Sequence, residues 1–119
     1  MVDWCRAAGF EVIAAGDEVP RQFLSVVAGP DRQPFQKGSG RLEMAQAIAS
    51  RDNPLTARVF VNRTWGWLTG QPLVDTPSDF GFAGGRPTHP QLLDELAARL
   101  IEDGWRTKTL QRQINDASP

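Results

Sequence analysis

The stretch Pro54–Leu68, which reads PLTARVFVNRTWGWL, decides the fold of this 119-residue chain. Its apolar residues recur at helical spacing but cover more than one narrow stripe, which is typical of a helix with neighbours on several sides. Asn53 suits the N-cap, and Pro54 suits the first helical position because a missing N–H costs no hydrogen bond there. Gly70 is expected to end the helix. The stretch therefore predicts the central helix of a bundle.

Three further helical patterns flank this central one. The pattern that follows the central helix is the clearest, because Thr88 and Gln91 have the spacing of a capping box in front of an unbroken apolar stripe. Ser39 is in position to cap the first helix of the chain. The flanking helices are predicted over residues 41–50, about 88–103 and about 107–115.

The other segments are irregular in pattern. Residues 71–87 are rich in Gly, Pro, Ser and Asp, and a loop this long in a compact domain is usually functional or packed by its own side chains. Residues 23–27 are compatible with a short extended segment. We expect an all-α fold, a small bundle of about four short helices with a long ordered loop. The expected divisions are an irregular N-terminal arm over 1–38, a helical domain over 39–115 and a tail over 116–119.

Composition excludes several classes of protein. The 13 basic and 14 acidic residues are evenly spread, so no segment has the basic excess that nucleic-acid binding requires. No apolar run approaches the ~18 residues of a membrane span. Cys5 is the single cysteine, which excludes an intrachain disulfide, and together with the single His89 it cannot supply an ordinary four-ligand zinc site. We expect no nucleic-acid partner, and no membrane segment, metal site or cofactor in this chain.

Polar residues on the central helix are the first candidates for a site. Arg58 and Asn62 are four positions apart and share a face, with Arg63 beside them. One interpretation is an anion or carboxylate site, because the Arg guanidinium is a planar fork for bidentate binding. The other is a structural network in which Arg58 and Asn62 hold the long loop through Asp79, because a buried charge requires a partner. The second interpretation is favoured, and Glu43 is added to the same polar set.

Other residues suggest chemistry individually. His89 and Asp79 are candidates for acid–base catalysis, since histidine titrates near neutrality, but no G-x-S-x-G elbow accompanies them. Glu43 and Asp94 are candidates for a carboxylate pair, although carboxylates near helix starts more often interact with the helix dipole. Trp67 is the best candidate for a contact surface, because it lies on a different helix face from the tryptophan that suits the core.

Several segments carry a family resemblance by their residues and by their order along the chain: SGRLE (39–43), DNPLTARVFVNRTW (52–65), TPSDFG (76–81), THPQLLD (88–94) and GW (104–105). Together they resemble the planctomycete-specific C-terminal domain of unknown function of the PSD type. In that family the domain follows a haem-binding, cytochrome-c-like module. The resemblance implies that this chain is a fragment of a large, exported, periplasmic or extracytoplasmic protein. It also implies that haem belongs to a neighbouring module and that the partners are the other domains of that protein.

The chain departs from the family pattern just after Trp65. Relatives usually have a pair of histidines there, followed by Phe-Gly-Arg-Gly, whereas this chain continues with Gly66–Gly70, which contains no histidine. The sequence thus favours a non-catalytic structural or interaction module. The alternative is an enzyme or ligand-binding domain with an anionic or carbohydrate substrate. That substrate would bind near four residues: Arg58, Asn62, Asp79 and His89.

Overall fold

The structure of the protein is a computed structural model that describes residues 6–9, 11, 16–17 and 19–117. Cys5 lies outside these residues. The described part of the chain is helical and contains no strand, which confirms the predicted all-α class. Its helices are α1 (Ser25–Ala28), α2 (Arg41–Ile48), α3 (Thr56–Thr69), α4 (Pro90–Glu102) and α5 (Thr107–Ala117).

Helices α3, α4 and α5 pack against one another and enclose the core. On α4 the apolar residues recur every three or four positions, so one stripe of the helix faces inward. The loop between α3 and α4 adds two further apolar side chains. The buried apolar set is Ala57, Val61, Leu73, Val74, Leu93, Leu96, Ala97, Leu100, Leu110 and Ile114. Removal of this apolar surface from water is the main force that holds the three helices together.

Helix α3 is less enclosed than its apolar sequence predicts. Trp67 is 77% exposed, and Leu68 is also exposed. Phe60 and Trp65 are partly buried and pack against the core. The ring of Phe60 meets that of Trp105 edge-on, at 6.4 Å between centroids and 74° between planes. The helix is central, but its last turn leaves apolar side chains in solvent.

Two predicted caps are wrong in their position. Thr88 does not cap α4: its Oγ1 donates to the Leu73 carbonyl at 3.2 Å, and the N-cap residue is His89. Asn53 acts one turn before α3, which begins at Thr56: its Oδ1 accepts the Leu55 N–H, and its Nδ2 donates to the Ile48 carbonyl. Polar side chains at these positions serve tertiary and turn contacts, which compete with helix capping.

Both ends of the described chain also differ in detail from the predictions. The segment expected to be extended contains instead the single helical turn α1. Gly40, with φ 74°, occupies the N-cap position of α2 in place of Ser39. The side chain of Phe35 lies against Gly40, so that an added Cβ would be only 2.9 Å from the Phe35 Cβ. No side chain of α2 is buried. At the other end, the helix predicted over 107–115 continues to Ala117.

Candidate functional site

Asn62 fastens the long loop to helix α3. Its side chain is completely buried, its Nδ2 donates to the Val74 carbonyl at 3.0 Å, and its Oδ1 accepts the Val74 N–H at 2.7 Å. One carboxamide thus satisfies both backbone groups of a buried loop residue, as a paired strand would. The loop needs this, because Leu73 and Val74 insert into the core and carry their backbone polar groups with them. Asn62 thus links the loop to α3 through the backbone of Val74, and Asp79 takes no part in this link.

Arg58 does not contact Asp79, so the pairing expected from the sequence is wrong. The Arg58 Nε lies 2.6 Å from Asp94 Oδ1 on α4, and its Nη1 donates to the Pro54 carbonyl at 2.7 Å. Arg58 and Asn62 lie on the same face of α3 but contact different elements. Arg58 contacts α4, and Asn62, one turn later, contacts the loop. The Arg58 side chain is one-third exposed, so the pair is a half-exposed ion pair and no deeply buried charge is involved.

Asp79 shapes the loop itself. It is exposed, and its Oδ1 accepts the Gly81 N–H at 2.8 Å, which forms a tight turn. The Asp79 carbonyl accepts a hydrogen bond from Thr76 Oγ1 at 2.7 Å. That same hydroxyl accepts the Gly85 N–H at 2.8 Å. The turn residues therefore hold the loop by local bonds, and the link between loop and α3 runs through Asn62.

Glu43 is bonded to the N-terminal arm and forms no pair with Asp94. Its two carboxylate oxygens accept the backbone N–H groups of Gln36 at 3.1 Å and Lys37 at 2.8 Å. These two N–H donors, first that of Lys37 and then that of Gln36, lower the pKa of Glu43 below its ordinary value of 4.5. Asp94 is engaged with Arg58 on a different element. The structure thus separates the two members of the proposed carboxylate pair.

His89 lines a cavity of about 510 Å³ between the end of α3 and the start of α4, which we call the His89 cavity. Two other ionisable residues line it, Asp75 and Arg86, and Trp65 contributes an aromatic wall. The remaining lining residues are small, polar or apolar: Thr69, Gln71, Pro72, Leu73 and Thr88. Sequence reasoning missed Asp75 and Arg86, although the Gly84-Gly85 pair before Arg86 is a signal of close backbone approach.

Trp67 lines a second depression of about 420 Å³, which adjoins the first at Pro72 and which we call the Trp67 groove. Arg63, one turn earlier on α3, lies in the same groove, and the opposite side is formed by Pro72 and Pro77. Asn62 borders this groove, whereas Arg58 borders another cavity together with Asp94, and His89 borders the His89 cavity. The residues proposed for one anionic or carbohydrate site are thus distributed over three surfaces.

Two further findings concern metals and membranes. The described residues contain no group of three or more His, Cys, Asp or Glu side chains that is arranged to hold a metal ion. They also contain no helix whose length and apolar character would let it cross a membrane.

Comparison with known proteins gives one match. Residues 40–118 fit the sequence profile of PSD1, a family described as a protein of unknown function (DUF1553). The matched segment is about two-thirds of the chain and contains α2, the core helices, the loop and the three cavities described above. No curated protein and no solved structure matches the chain.

Proposed function

The chain belongs to the PSD1 family (DUF1553), whose description assigns no activity, and from that premise we propose that it is a non-catalytic structural or interaction module. The observation that carries this proposal is the use of Asn62. The Asn62 side-chain amide is hydrogen-bonded to both the N–H and the carbonyl of Val74. Asn62 has no solvent-exposed surface. Such a side chain is not accessible to a substrate.

The other polar residues of the helical region support the same proposal. Arg58 bonds to Asp94 and to a carbonyl of its own helix start, and Asp79 bonds to a glycine two residues on. Both side chains are thus bonded to other groups of the protein. Arg58 links α3 to α4 and Asp79 shapes the loop, which are the contacts expected of a structural role.

The interaction part of the proposal rests on the Trp67 groove. A tryptophan with 77% of its surface exposed lies one turn from an exposed arginine, in a depression walled by two prolines. Trp and Arg are the residues most enriched at the energetic centres of protein interfaces. We propose that this groove receives another domain of a larger parent protein.

The parent protein is proposed to be an exported, cytochrome-c-type multidomain protein, on the strength of the resemblance alone. This chain's own residues do not fit a covalently attached haem, because it has one cysteine, one histidine and no C-x-x-C-H run. Haem would belong to a neighbouring module. Sequencing the reading frame on both sides tests the proposal: an upstream C-x-x-C-H module supports it, and a frame without one contradicts it.

The structural role of Asn62 is tested by Asn62→Ala. We expect a loss of about 2–4 kcal/mol in the free energy of unfolding, because the N–H and carbonyl of Val74 lose their buried partners. Asn115→Ala, which removes an exposed asparagine from α5, is the matched control and should change stability by about 0.5 kcal/mol or less. Chemical denaturation of both variants measures the difference, and equal midpoints would overturn the assignment.

The contact role of Trp67 is tested with Trp67→Ala and the neighbouring module encoded in the same reading frame. We expect the variant to keep the melting temperature of the parent chain and to bind that module at least tenfold more weakly, as measured by calorimetry. Phe82→Ala is the control, because Phe82 is also a fully exposed aromatic residue but lies outside the groove. Unchanged binding by Trp67→Ala would refute the groove as the interface.

A further inference from the structure

We propose that the His89 cavity binds an anionic carbohydrate, a sugar ring that bears a carboxylate or a sulfate. This goes beyond the interaction module proposed above and involves a different surface. The cavity, at about 510 Å³, falls in the range of small-molecule sites. It brings together Arg86, Asp75 and His89 beside the partly buried ring of Trp65.

The walls of the cavity are held in place before any ligand arrives. Leu73, just after α3, is hydrogen-bonded to Thr88, just before α4. The Leu73 carbonyl accepts both the Thr88 N–H at 2.9 Å and the Thr88 hydroxyl. Val74 is fixed by Asn62, and Gly85 is fixed by Thr76. Pre-organisation of this kind lowers the entropy cost of binding.

Each ionisable residue of the cavity is directly adjacent in sequence to one of those fixed positions. Asp75 follows Val74, Arg86 follows Gly85, and His89 follows Thr88. Backbone groups of Val74 and Gly85 and the hydroxyl of Thr88 form these bonds. The side chains of Asp75 and Arg86 take no part in them and remain for the cavity. Three chemically active side chains are thereby presented from a rigid frame.

Gly85 is required by this arrangement. A Cβ at that position would be 1.8 Å from Asp75 Oδ1, so any other residue would displace the carboxylate. Asp75 and Arg86 form no hydrogen bond and no ion pair through their side chains with other residues in the part of the chain that the structure describes. Their charges are therefore available to a ligand.

The hydrogen bond of His89 defines how its ring can act. Thr88 Oγ1 donates its one hydrogen to the Leu73 carbonyl, so towards His89 Nδ1, at 3.1 Å, this oxygen acts as the acceptor. Nδ1 of His89 is thus engaged by Thr88, and Nε2 is the ring nitrogen left to contact a ligand. Together with the Asp75 carboxylate, it gives the cavity two polar groups that can meet the hydroxyls of a sugar.

The mixture of charges selects the class of ligand. Arg86 binds one carboxylate or sulfate through its planar fork, whereas Asp75 disfavours ligands whose negative charges lie close together, such as the polyphosphate of a nucleotide. A sugar ring with one anionic group and several hydroxyl donors satisfies Arg86, Asp75 and His89 at once. A pyranose ring also has an apolar face of C–H groups that can lie on Trp65.

The test uses the full chain and three oligosaccharides that differ in one group: galacturonic acid oligomers, sulfated galactose oligomers and neutral galactose oligomers. Binding is followed by NMR chemical-shift titration. We expect saturable shifts at residues of the His89 cavity with at least one of the two acidic oligomers. The acidic oligomer that binds identifies the anionic group, and binding of the neutral oligomer should be about tenfold weaker.

Variants show whether the cavity is responsible. Arg86→Ala should weaken binding of the acidic oligomer about tenfold, and Arg86→Gln, which preserves more of the packing, should do the same. Arg112→Ala is the matched control, because it removes an exposed arginine of α5 that does not line the His89 cavity and should leave binding unchanged. Melting temperatures confirm that each variant folds.

Three results would each overturn the proposal: no saturable binding of either acidic oligomer, equal binding of the neutral oligomer, or unchanged binding in both Arg86 variants. The same samples separate this proposal from the non-catalytic role. Oligosaccharide recovered intact after incubation agrees with a binding module. Oligosaccharide that is cleaved would contradict the non-catalytic role while leaving the binding site supported.

Discussion

The core helices and helix α2 differ in what holds them, although both are helical by sequence pattern. Leu100 on α4 is 2% exposed, whereas Leu42 on α2 is 66% exposed. Helices α3, α4 and α5 cover one another, and α2 buries none of its own side chains. An apolar helical pattern thus specifies the helix, whereas burial of its side chains depends on whether another element packs against them.

Helix α2 is attached to its surroundings mainly by polar links. Glu43 accepts two backbone N–H groups of the arm, and Asn53 donates to the Ile48 carbonyl at the end of the helix. Phe35 adds one close apolar contact at Gly40. Links of this kind are exposed to water and to pH, whereas core packing is not. The two regions should therefore respond differently to mutation and to acid.

The largest effect is expected from truncation of a core leucine. Leu100→Ala should lower the free energy of unfolding by about 2–5 kcal/mol, because it removes buried apolar contacts and leaves a cavity. Leu42→Ala, the matched change on α2, should have an effect of about 0.5 kcal/mol or less. Denaturant unfolding of both variants checks this. An equal loss of unfolding free energy in the two variants would show that Leu42 is buried in solution and would contradict the difference between α2 and the core helices.

A smaller effect is expected at the ion pair between α3 and α4. Arg58→Ala should cost about 1 kcal/mol or less, because the Arg58 and Asp94 side chains are 33% and 55% exposed and water screens their attraction. Arg99→Ala, which removes the exposed pair with Glu95 on α4, serves as a reference for a pair within one helix. A loss above about 3 kcal/mol at Arg58 would instead indicate a fully desolvated charge.

The smallest effect on global stability, and a specific one on the arm, is expected from Glu43. Because the pKa of Glu43 is lowered in the folded protein, its two hydrogen bonds are present above pH 4.5 and are lost as the pH falls through the lowered value. In an NMR titration, the amide resonances of Gln36 and Lys37 should move with a midpoint below 4.5 while core resonances stay unchanged.

Two variants sharpen this experiment. Glu43→Gln should abolish the titration of the Gln36 and Lys37 amides, because the variant has no carboxylate to protonate. Glu102→Gln, at an exposed carboxyl group near the end of α4, should leave it intact. A midpoint at or above 4.5, or a titration that persists in Glu43→Gln, would disprove the link between α2 and the arm.

The sequence predicted the helices better than the site. Spacing of apolar residues placed the core helices to within a few residues and identified Trp67 as a surface residue, because periodicity depends only on local geometry. It did not predict that Arg58 pairs with Asp94, since the partner lies 36 positions away on another helix. It also missed Asp75 and Arg86, whose neighbourhood arises only when Leu73 and Thr88 meet.

The all-α class, the approximate bounds of the helices and the family to which the chain belongs could therefore be predicted from the amino-acid sequence. These properties follow from local spacing and from the order of short segments along the chain. Only the tertiary structure decided which helices became a core, which carboxylate received Arg58 and which side chains share a cavity. Those outcomes depend on contacts between residues far apart in sequence, and Asn62 shows how: one buried amide brings Val74 into the core and, with it, Asp75 to the edge of the His89 cavity.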